Sequence, residues 1–510
     1  MTQPQGKLGY IIAGLLLSIL VSSMDNTIVA TAMGTIVAKL GGFDKFIWVT
    51  SSYMVAEMAG MPIFGKLSDM YGRKRFFIFG MVVFLLGSIL CGTAQSIVQL
   101  SIYRAIQGIG GGALIPIAFT IIFDTIPAEN RGKMTGLFGA TFGLSSIFGP
   151  LLGSYITDYI EWRWIFYINL PIGILSLIFI AIHYKESPVH AKQKIDWVGA
   201  ITLVGAVVCL MFGLELGGNK YAWDSAPILS LFGGFLALLI IFLWTETRAE
   251  EPIISFSMFR ERLFGGSTLI GLCYGIAFIV STVYIPIYVQ GVIGGSATNS
   301  GLILLPMMLG VVVSSQVGAI LSSKIGYRNV MLIFGLIFLT GIVLLGTLTT
   351  TTPRWLVTIY MVLAGLGTGA SFSVLSMAAI HNLSPMQRGS ANSTISFVRE
   401  LGMTIGITVY GMIQRNNFTH KMADTLGGTD QLPAGGSNDP RALLAPDTRA
   451  QIPTPVLDKI TAILSSSITH AFTWALVPTG LLLVFIFMLT NDKLGEAKGN
   501  TKQQAAESYS

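Results

Sequence analysis

The sequence predicts an all-α polytopic membrane protein with fourteen transmembrane helices, and three observations carry that reading. Apolar residues make up 52% of the 510 and charged residues only 11%, against about 25% charged in soluble domains. A soluble chain of this length could not cover its surface with so few charges. The apolar residues run in continuous stretches of about 20, the length that crosses bilayer hydrocarbon as a helix. Barrel strands would be about half as long and would alternate. The third observation is the placement of basic residues. Of 31 Lys and Arg, only Lys39, Lys45, Arg163, Lys220 and Arg354 fall in short outer loops, and Arg104 and Arg399 fall within spans. Five more lie in one long loop, and the rest lie on the opposite side. This positive-inside bias puts both termini in the cytoplasm, in agreement with an even number of spans. The net charge of +6 follows from that topology and does not point to nucleic acid.

The first span, 10–33, follows Lys7 and continues through Asp25 with no small-residue cleavage site, so it reads as a retained helix and not a signal peptide. The second, 47–66, holds Glu57 and ends in a polar segment. Spans 76–94 and 98–122 follow, the latter carrying Arg104. In the fifth, 134–157, Gly139/Gly143 and Gly149/Gly153 are each spaced i, i+4. That small-residue spacing lets helices approach closely in lipid. Pro150 removes one backbone hydrogen bond and bends the helix. Span 164–184 completes a first set of six. Spans 197–217 and 227–245 have no counterpart elsewhere and read as an insertion. Six more follow: 264–288, 298–321, 330–349, 355–378, 390–413 and 468–490, with Arg399-Glu400 in the thirteenth. The intervening segment 414–467 is polar and rich in Gly, Pro and Asp. It reads as a flexible outer loop whose end, 456–470, forms a short amphipathic helix. The tail after Asn491 is polar and expected to be disordered.

Two halves resemble each other. Ser68-Asp69-Met70-Tyr71-Gly72-Arg73 follows span 2, and Ser322-Ser323-Lys324-Ile325-Gly326-Tyr327-Arg328 follows span 10. Pro127-Ala128-Glu129-Asn130-Arg131-Gly132 follows span 4, and Pro385-Met386-Gln387-Arg388-Gly389 follows span 12. Spans 1–6 therefore match spans 9–14, an organisation of two repeats typical of secondary transporters. The expected division is an N-terminal six-helix bundle (1–190), two inserted helices (191–250), a C-terminal six-helix bundle (251–490) that includes the outer loop 414–467, and a cytoplasmic tail (491–510).

Ionisable residues inside spans are costly and mark function. They are few: Asp25, Glu57, Arg104, Arg399 and Glu400. Asp25 is the best single candidate for taking up and releasing protons. Arg104 does not lose its charge and needs a carboxylate partner, for which Asp25 is the natural choice. Glu57 and Glu400 are further candidates for proton coupling or substrate contact. Methionines and aromatics, among them Met58, Met61, Phe142, Tyr274, Phe278 and Tyr284, suit the wall of an apolar cavity. Cys91, Cys209 and Cys273 all fall within spans and give neither a disulfide framework nor a metal spacing. His-Glu-x-x-His, the phosphate-binding loop Gly-x-x-x-x-Gly-Lys-Ser/Thr and Gly-x-Ser-x-Gly are all missing. No enzyme activity, cofactor or metal is expected, and this chain has no ATP-binding loop to drive transport.

On these residues the whole chain resembles the 14-helix drug/proton antiporters of the major facilitator superfamily, the EmrB/QacA type. Gly65-Lys66-Leu67-Ser68-Asp69-Met70-Tyr71-Gly72-Arg73-Lys74-Arg75 is similar to the superfamily's signature between helices 2 and 3. The resemblance implies a lock between the halves on the cytoplasmic side, made by Asp69 and Arg73 with Gly65 and Gly72 and helped by Arg131. Asp69 is also suited to face the N-terminal dipole of span 13. Leu100 to Gly108 resembles the helix-4 motif whose Arg, here Arg104, is implicated in proton transfer. Gly139 and Gly149-Pro150-Leu151-Leu152-Gly153 resemble the helix-5 motif of antiporters. Met24-Asp25-Asn26-Thr27-Ile28-Val29 and Trp162 to Gly173 are similar to the helix-1 and helix-6 motifs of the 14-helix subgroup. Two departures stand out. Ser51 occupies a position that is acidic in some relatives, with Glu57 in reach to substitute, and Ser323 replaces the Asp in the second copy of the loop signature, which makes the expected lock asymmetric.

The expectation is proton-coupled multidrug efflux across the plasma membrane by alternating access. The partners would be protons, the lipid bilayer and small amphipathic substrates, cationic ones included, with no nucleic acid. The alternatives are export of an endogenous metabolite or lipid by the same mechanism, or a non-transporting membrane sensor or scaffold.

Overall fold

The computed structural model describes residues 5–41, 47–186, 195–218, 220–295, 297–426 and 453–493. Its α-helices are α1 (Gln5–Leu40), α2 (Ile47–Tyr71), α3 (Arg73–Thr93), α4 (Ile97–Thr125), α5 (Ala128–Tyr159), α6 (Trp164–Tyr167), α7 (Asn169–His183), α8 (Trp197–Leu216), α9 (Ala226–Glu246), α10 (Arg262–Gly291), α11 (Ala297–Ile325), α12 (Tyr327–Leu345), α13 (Arg354–Ile380), α14 (Arg388–Leu426) and α15 (Thr454–Ile486). The single turn α6 and the helix α7 form one apolar crossing over Trp164–His183, so the described helices make fourteen crossings. Twelve of these are long and apolar enough to span a bilayer by composition. The other two, α2 and α14, fall short because α2 carries Glu57, Lys66 and Asp69 while α14 carries Arg399 and Glu400. Those polar residues lie where the two halves meet.

The apolar core is divided accordingly. One cluster joins α10 to α15 around Tyr274, Tyr288, Phe338 and Phe472. Two others lie among α1 to α7, one around Tyr53, Phe84 and Phe138 and one around Trp162 and Phe166. A fourth bridges them: Val55, Met58 and Met61 of α2, Ala200, Leu203 and Met211 of α8, Phe242 of α9 and Phe397 of α14. The pair α8/α9 therefore covers the seam between α2 and α14.

Successive crossings run in opposite directions, so both ends of the helical array lie at one face, termed here the terminal face. There the Tyr327 amide donates to the Asp492 carbonyl at 3.0 Å. The repeat is visible in the backbone at this face. Gly72 (φ 110°) and Gly326 (φ 82°) each precede a helix, α3 and α12, in a conformation that side chains rarely adopt.

The thirteenth and fourteenth crossings are longer than their hydropathy indicates. Residues 414–426 continue α14, and α15 begins at Thr454 with no break before the last crossing. As sequence, 414–426 belongs to the polar, Gly-, Pro- and Asp-rich segment 414–467 that reads as a loop, but it is helical. A single apolar stripe at helical spacing is enough to hold it as helix: Phe418 and Met422 are buried against the C-terminal core, as are Ile460 and Leu464 of α15. Gln414 Nε2 donates to Ser467 Oγ at 3.0 Å and ties the two extensions together. The expected loop over 427–452 and the tail beyond 493 lie outside the described residues.

Candidate functional site

Three layers of polar chemistry are set into these helices. The deepest is centred on Asp25, which is fully buried in α1. Asp25 Oδ2 is paired with Arg104 of α4. Oδ1 accepts from Gln107 Nε2 at 2.9 Å and from Asn169 Nδ2 at 2.8 Å. Ser88 Oγ accepts from the same two amides at 2.7 and 3.0 Å. Arg104 also donates to Gln107 Oε1 at 2.8 Å, the Val49 carbonyl at 3.4 Å and Asn26 Oδ1 at 3.4 Å, and its guanidinium lies 4.0 Å from the centre of the Tyr53 ring. Every atom aimed at the carboxylate is a donor, so the arrangement fits the ionised form, which only accepts. The structure thus joins the two residues that sequence reading paired. It adds Ser88, Gln107 and Asn169, neutral residues whose burial gave no warning in the sequence beyond the motifs that contain Gln107 and Asn169.

The second layer is a cavity of about 140 Å³ between the halves. Ser22, Ser23 and Asn26 of α1 line one side, with Met54, Glu57, Met58 and Met61 of α2, and Phe142 and Ser146 of α5 and Glu400 of α14 close it. Glu57 and Glu400, one from each half, share this space. Asp25 is not among its lining residues, although its neighbour Asn26 is. The flexible methionine wall suits apolar ligands of varied shape.

The third layer closes the terminal face. Asp69 at the end of α2 accepts from the Gly389 amide at 3.0 Å and the Ser390 amide at 2.8 Å, at the N-terminus of α14. A carboxylate there is favoured by the free amides and the helix dipole. Arg73 donates to Asp69 Oδ1 at 3.3 Å and to the Pro385 carbonyl at 2.6 Å and is paired with Asp124 of α4. Arg388 donates to Asp124 at 3.2 Å. Asp124 thereby holds one arginine from each half. Sequence reading missed it, because an acidic residue closing a span looks like a solvated helix end. Its usable signal was the basic loop signature of the opposite span pair. Arg131, expected in this cluster, starts α5 at the same face, but its side chain lies outside the described ones. A methyl on Gly65 would come within 2.7 Å of the Gly389 carbonyl, so glycine there lets α2 and α14 meet. Among the described residues the counterpart of Asp69, Ser323, bonds only within its own helix, to the Ile320 carbonyl. The connector after α9 joins the same cluster: Lys66 pairs with Glu251 at 2.7 Å, and Ser390 Oγ donates to the Ile253 carbonyl at 2.8 Å.

Burial dominates the Asp69 carboxyl and holds it up at about 6, although Arg73 and the two amides pull the other way. Arg73 and Arg388 are the charged groups facing it. An opened face would return it to water, where a carboxyl of this type titrates near about 3.9. The closed face then holds a proton that the open one releases. A group raised in one state stabilises that state below its free value and loses the contribution as pH rises through its raised value. Lowering the pH at this face from about 7 to about 5 is expected to increase the closed population, and Asp69→Asn to flatten that dependence. Distances between spin labels placed across the face at several pH values test this; a wild-type profile already flat over that range would refute it.

The glycines of α5 divide between two neighbours. Gly139 abuts Ser315 of α11, and a methyl on Gly143 would come within 3.1 Å of the Met308 carbonyl, so this pair packs across the halves. Methyls on Gly149 and Gly153 would come within 3.3 Å of the Met24 carbonyl and 2.9 Å of the Ile28 carbonyl, so that pair packs α5 on α1 within one half. Pro150 lies inside α5, within the second of these contact regions, directly after Gly149. Gly153→Val is expected to cost about 1–3 kcal/mol of stability by overpacking, read as a lower melting temperature of the purified protein. Gly143→Val is expected to leave that temperature closer to wild type while hindering closure of the halves. Equal melting losses in the two variants would contradict this division.

Comparisons with known proteins agree with the geometry. The profile of the Major Facilitator Superfamily matches residues 15–407. Multidrug resistance protein 3 of Bacillus subtilis (strain 168) is 54% identical over 506 residues, covering 98% of this chain and 99% of the relative. Multidrug transporter protein MdtP of the same organism is 35% identical over 524 residues, covering 98% of this chain and 96% of the relative. Among solved structures, the human organic anion transporter MFSD10 (TETRAN) aligns with 96% of this chain and 100% of its own at a TM-score of 0.62 and 14% identity. The proton:xylose symporter XylE aligns with 96% of this chain and 98% of its own at a TM-score of 0.61 and 14% identity. With a matching profile over most of its length and a relative more than half identical from end to end, the chain belongs to the major facilitator superfamily.

Proposed function

We propose that the protein is a multidrug exporter of the cell membrane that exchanges drug for protons, with its terminal face in the cytoplasm. The observation that carries this reading is the cavity in which Glu57 and Glu400, one from each half, face a wall of Met54, Met58, Met61 and Phe142. Carboxylates held among apolar side chains accept either a proton or the cationic end of an amphipathic molecule, but not both at once. Relatives named as multidrug resistance and multidrug transporter proteins support the choice of drugs as substrates. In the cycle, the terminal-face lock of Asp69, Arg73, Asp124 and Arg388 opens to admit drug, then re-forms while the opposite side opens. Protons entering from outside displace the drug from the carboxylates. The Asp25–Arg104 pair links protonation to helix packing, since α1 holds both Asp25 and the Thr27 and Thr31 surface on which Gly149 and Gly153 pack.

The test is uptake of a fluorescent lipophilic cation into inside-out vesicles carrying the protein, under an imposed proton gradient. Wild-type uptake is expected to collapse with a protonophore. Glu57→Gln and Glu400→Gln are each expected to lower its initial rate by roughly tenfold or more, as loss of one charge-assisted contact implies. Wild-type vesicles that take up no more dye than empty ones would reject drug export.

A further inference from the structure

Arg399 is the other basic residue within a span, and its surroundings differ sharply from those of Arg104. Arg104 is neutralised by Asp25, bonded to three further oxygens and stacked on Tyr53. Arg399 has a ring and the charge of its neighbour Glu400: its guanidinium lies 4.6 Å from the centre of Phe372 of α13, and the Glu400 carboxylate is near enough to act on it. Its Nε and Nη2 are buried and make no hydrogen bond within the described residues. Glu400 is adjacent in sequence, but successive residues on a helix point about 100° apart, and Glu400 is turned into the cavity with Glu57. A cation over one aromatic face is worth about 0.5–2 kcal/mol. Removing a charge from water costs several kcal/mol unless it is paired and hydrogen-bonded. A ring and an adjacent charge therefore leave two buried donors of Arg399, Nε and Nη2, unused among the described residues.

The site around Arg399 borders the cavity. Phe372 lies 5.8 Å from Phe142, which lines the cavity wall, and 6.3 Å from Phe278 of α10. Glu57 and Glu400 line the cavity, and a cation with unused donors stands behind the Phe142 and Phe372 rings at its edge.

We propose that Arg399 is an anion-binding subsite of the substrate cavity, and that the protein's substrates include amphoteric molecules whose carboxylate it takes while their cationic end lies toward Glu57 and Glu400. This rests on the drug-export reading and narrows its substrate class. The planar guanidinium matches a carboxylate with two parallel N–H donors, and the phenylalanines suit an aromatic scaffold between the two charges.

The experiment compares a rhodamine bearing a free carboxylate with the methyl ester of the same dye. Initial uptake into inside-out vesicles is measured for wild type, Arg399→Gln and Arg399→Lys at equal protein. Arg399→Gln is expected to raise the KM for the acid at least roughly tenfold, the loss of one charge-assisted contact, and to leave the ester within about twofold. Arg399→Lys is expected to recover part of the acid's affinity, as a charge without the fork would. Equal losses for acid and ester would make Arg399 a structural residue and overturn the proposal, as would an unchanged KM for the acid. Wild type that transports the ester but never the acid would overturn it while leaving drug export standing. Wild type that transports neither would remove both. The series is repeated in phosphatidylcholine with and without phosphatidylglycerol. An effect of Arg399→Gln confined to the anionic lipid would assign the subsite to a headgroup and reject a substrate carboxylate.

Discussion

Asp25→Asn is expected to lower gradient-driven uptake by roughly a hundredfold or more while cavity binding of a lipophilic cation persists. The reasoning is local. Asp25 Oδ1 receives two amide donors and Oδ2 receives Arg104. An asparagine carries one acceptor and one donor, so whichever way it turns, its NH2 meets a donor that had been satisfied. Arg104 would also lose its counter-charge in a fully buried setting, and breaking one member of a buried pair costs about 3–5 kcal/mol. A cost of that size shifts a two-state equilibrium by about a hundredfold or more. Two measurements separate coupling from general damage. Binding of the dye without a gradient is expected to survive, because Asp25 does not line the cavity. Asn169→Ala, which removes one hydrogen bond to Asp25 and one to Ser88 but no charge, is expected to retain most uptake. Wild-type gradient-driven uptake in Asp25→Asn would remove this residue from coupling and leave Glu57 and Glu400 as the groups that bind protons.

The fold was legible because membrane spans are written in length and hydropathy, and because so few ionisable residues interrupt them. Asp25 and Arg104 are paired for the same reason: a fixed charge in hydrocarbon has very few partners available. The position of Asp69 on the N-terminus of α14 was also within reach, since a carboxylate after span 2 and a Gly389-Ser390 helix start after span 12 suit one another chemically. Other features depend on distance across the chain and had no local mark. Asp124 reads as an ordinary helix end until Arg73 and Arg388 converge on it. Ser88 and Asn169 are neutral, and nothing in their neighbours says that Asn169 bonds Asp25 while Ser88 accepts from the two amides that do so. Glu57 and Glu400 belong to one cavity only because α2 and α14 pack together. The covering role of α8 and α9 on that seam is equally invisible, since their sequence shows only that they are apolar. Arg399 and Glu400 act on each other's charge as their adjacency suggests, but helix geometry gives them different further neighbours, Phe372 for one and the cavity for the other.

Arg73→Ala is expected to shift the protein toward a state open at the terminal face. Arg73 makes one bond that crosses between the halves, to the Pro385 carbonyl, and two that hold acidic side chains in place, to Asp69 and Asp124. Its removal would leave Asp69 without its ion pair and Asp124 with Arg388 alone among the ion pairs of the described residues. Asp69 would keep its amide donors from Gly389 and Ser390 but lose its neutralising charge, and hydrogen bonds to charged groups are worth about 1.5–3 kcal/mol each. Two conformations of a transporter lie within a few kcal/mol of one another, so a loss of this order is enough to invert the balance. Spin labels at Arg75, exposed at the start of α3, and Met386, exposed on the opposite half, are expected to show a longer-distance population in Arg73→Ala that is minor in wild type. Asp124→Ala is expected to produce the same shift, since it releases Arg73 and Arg388 together. Arg73→Lys is expected to be intermediate, because one ammonium cannot reach three acceptors in the geometry that a planar guanidinium spans. An unchanged distance distribution in both alanine variants would mean that apolar packing along α2 and α14, with the connector held by Lys66 and Ser390, keeps the face closed without these charges.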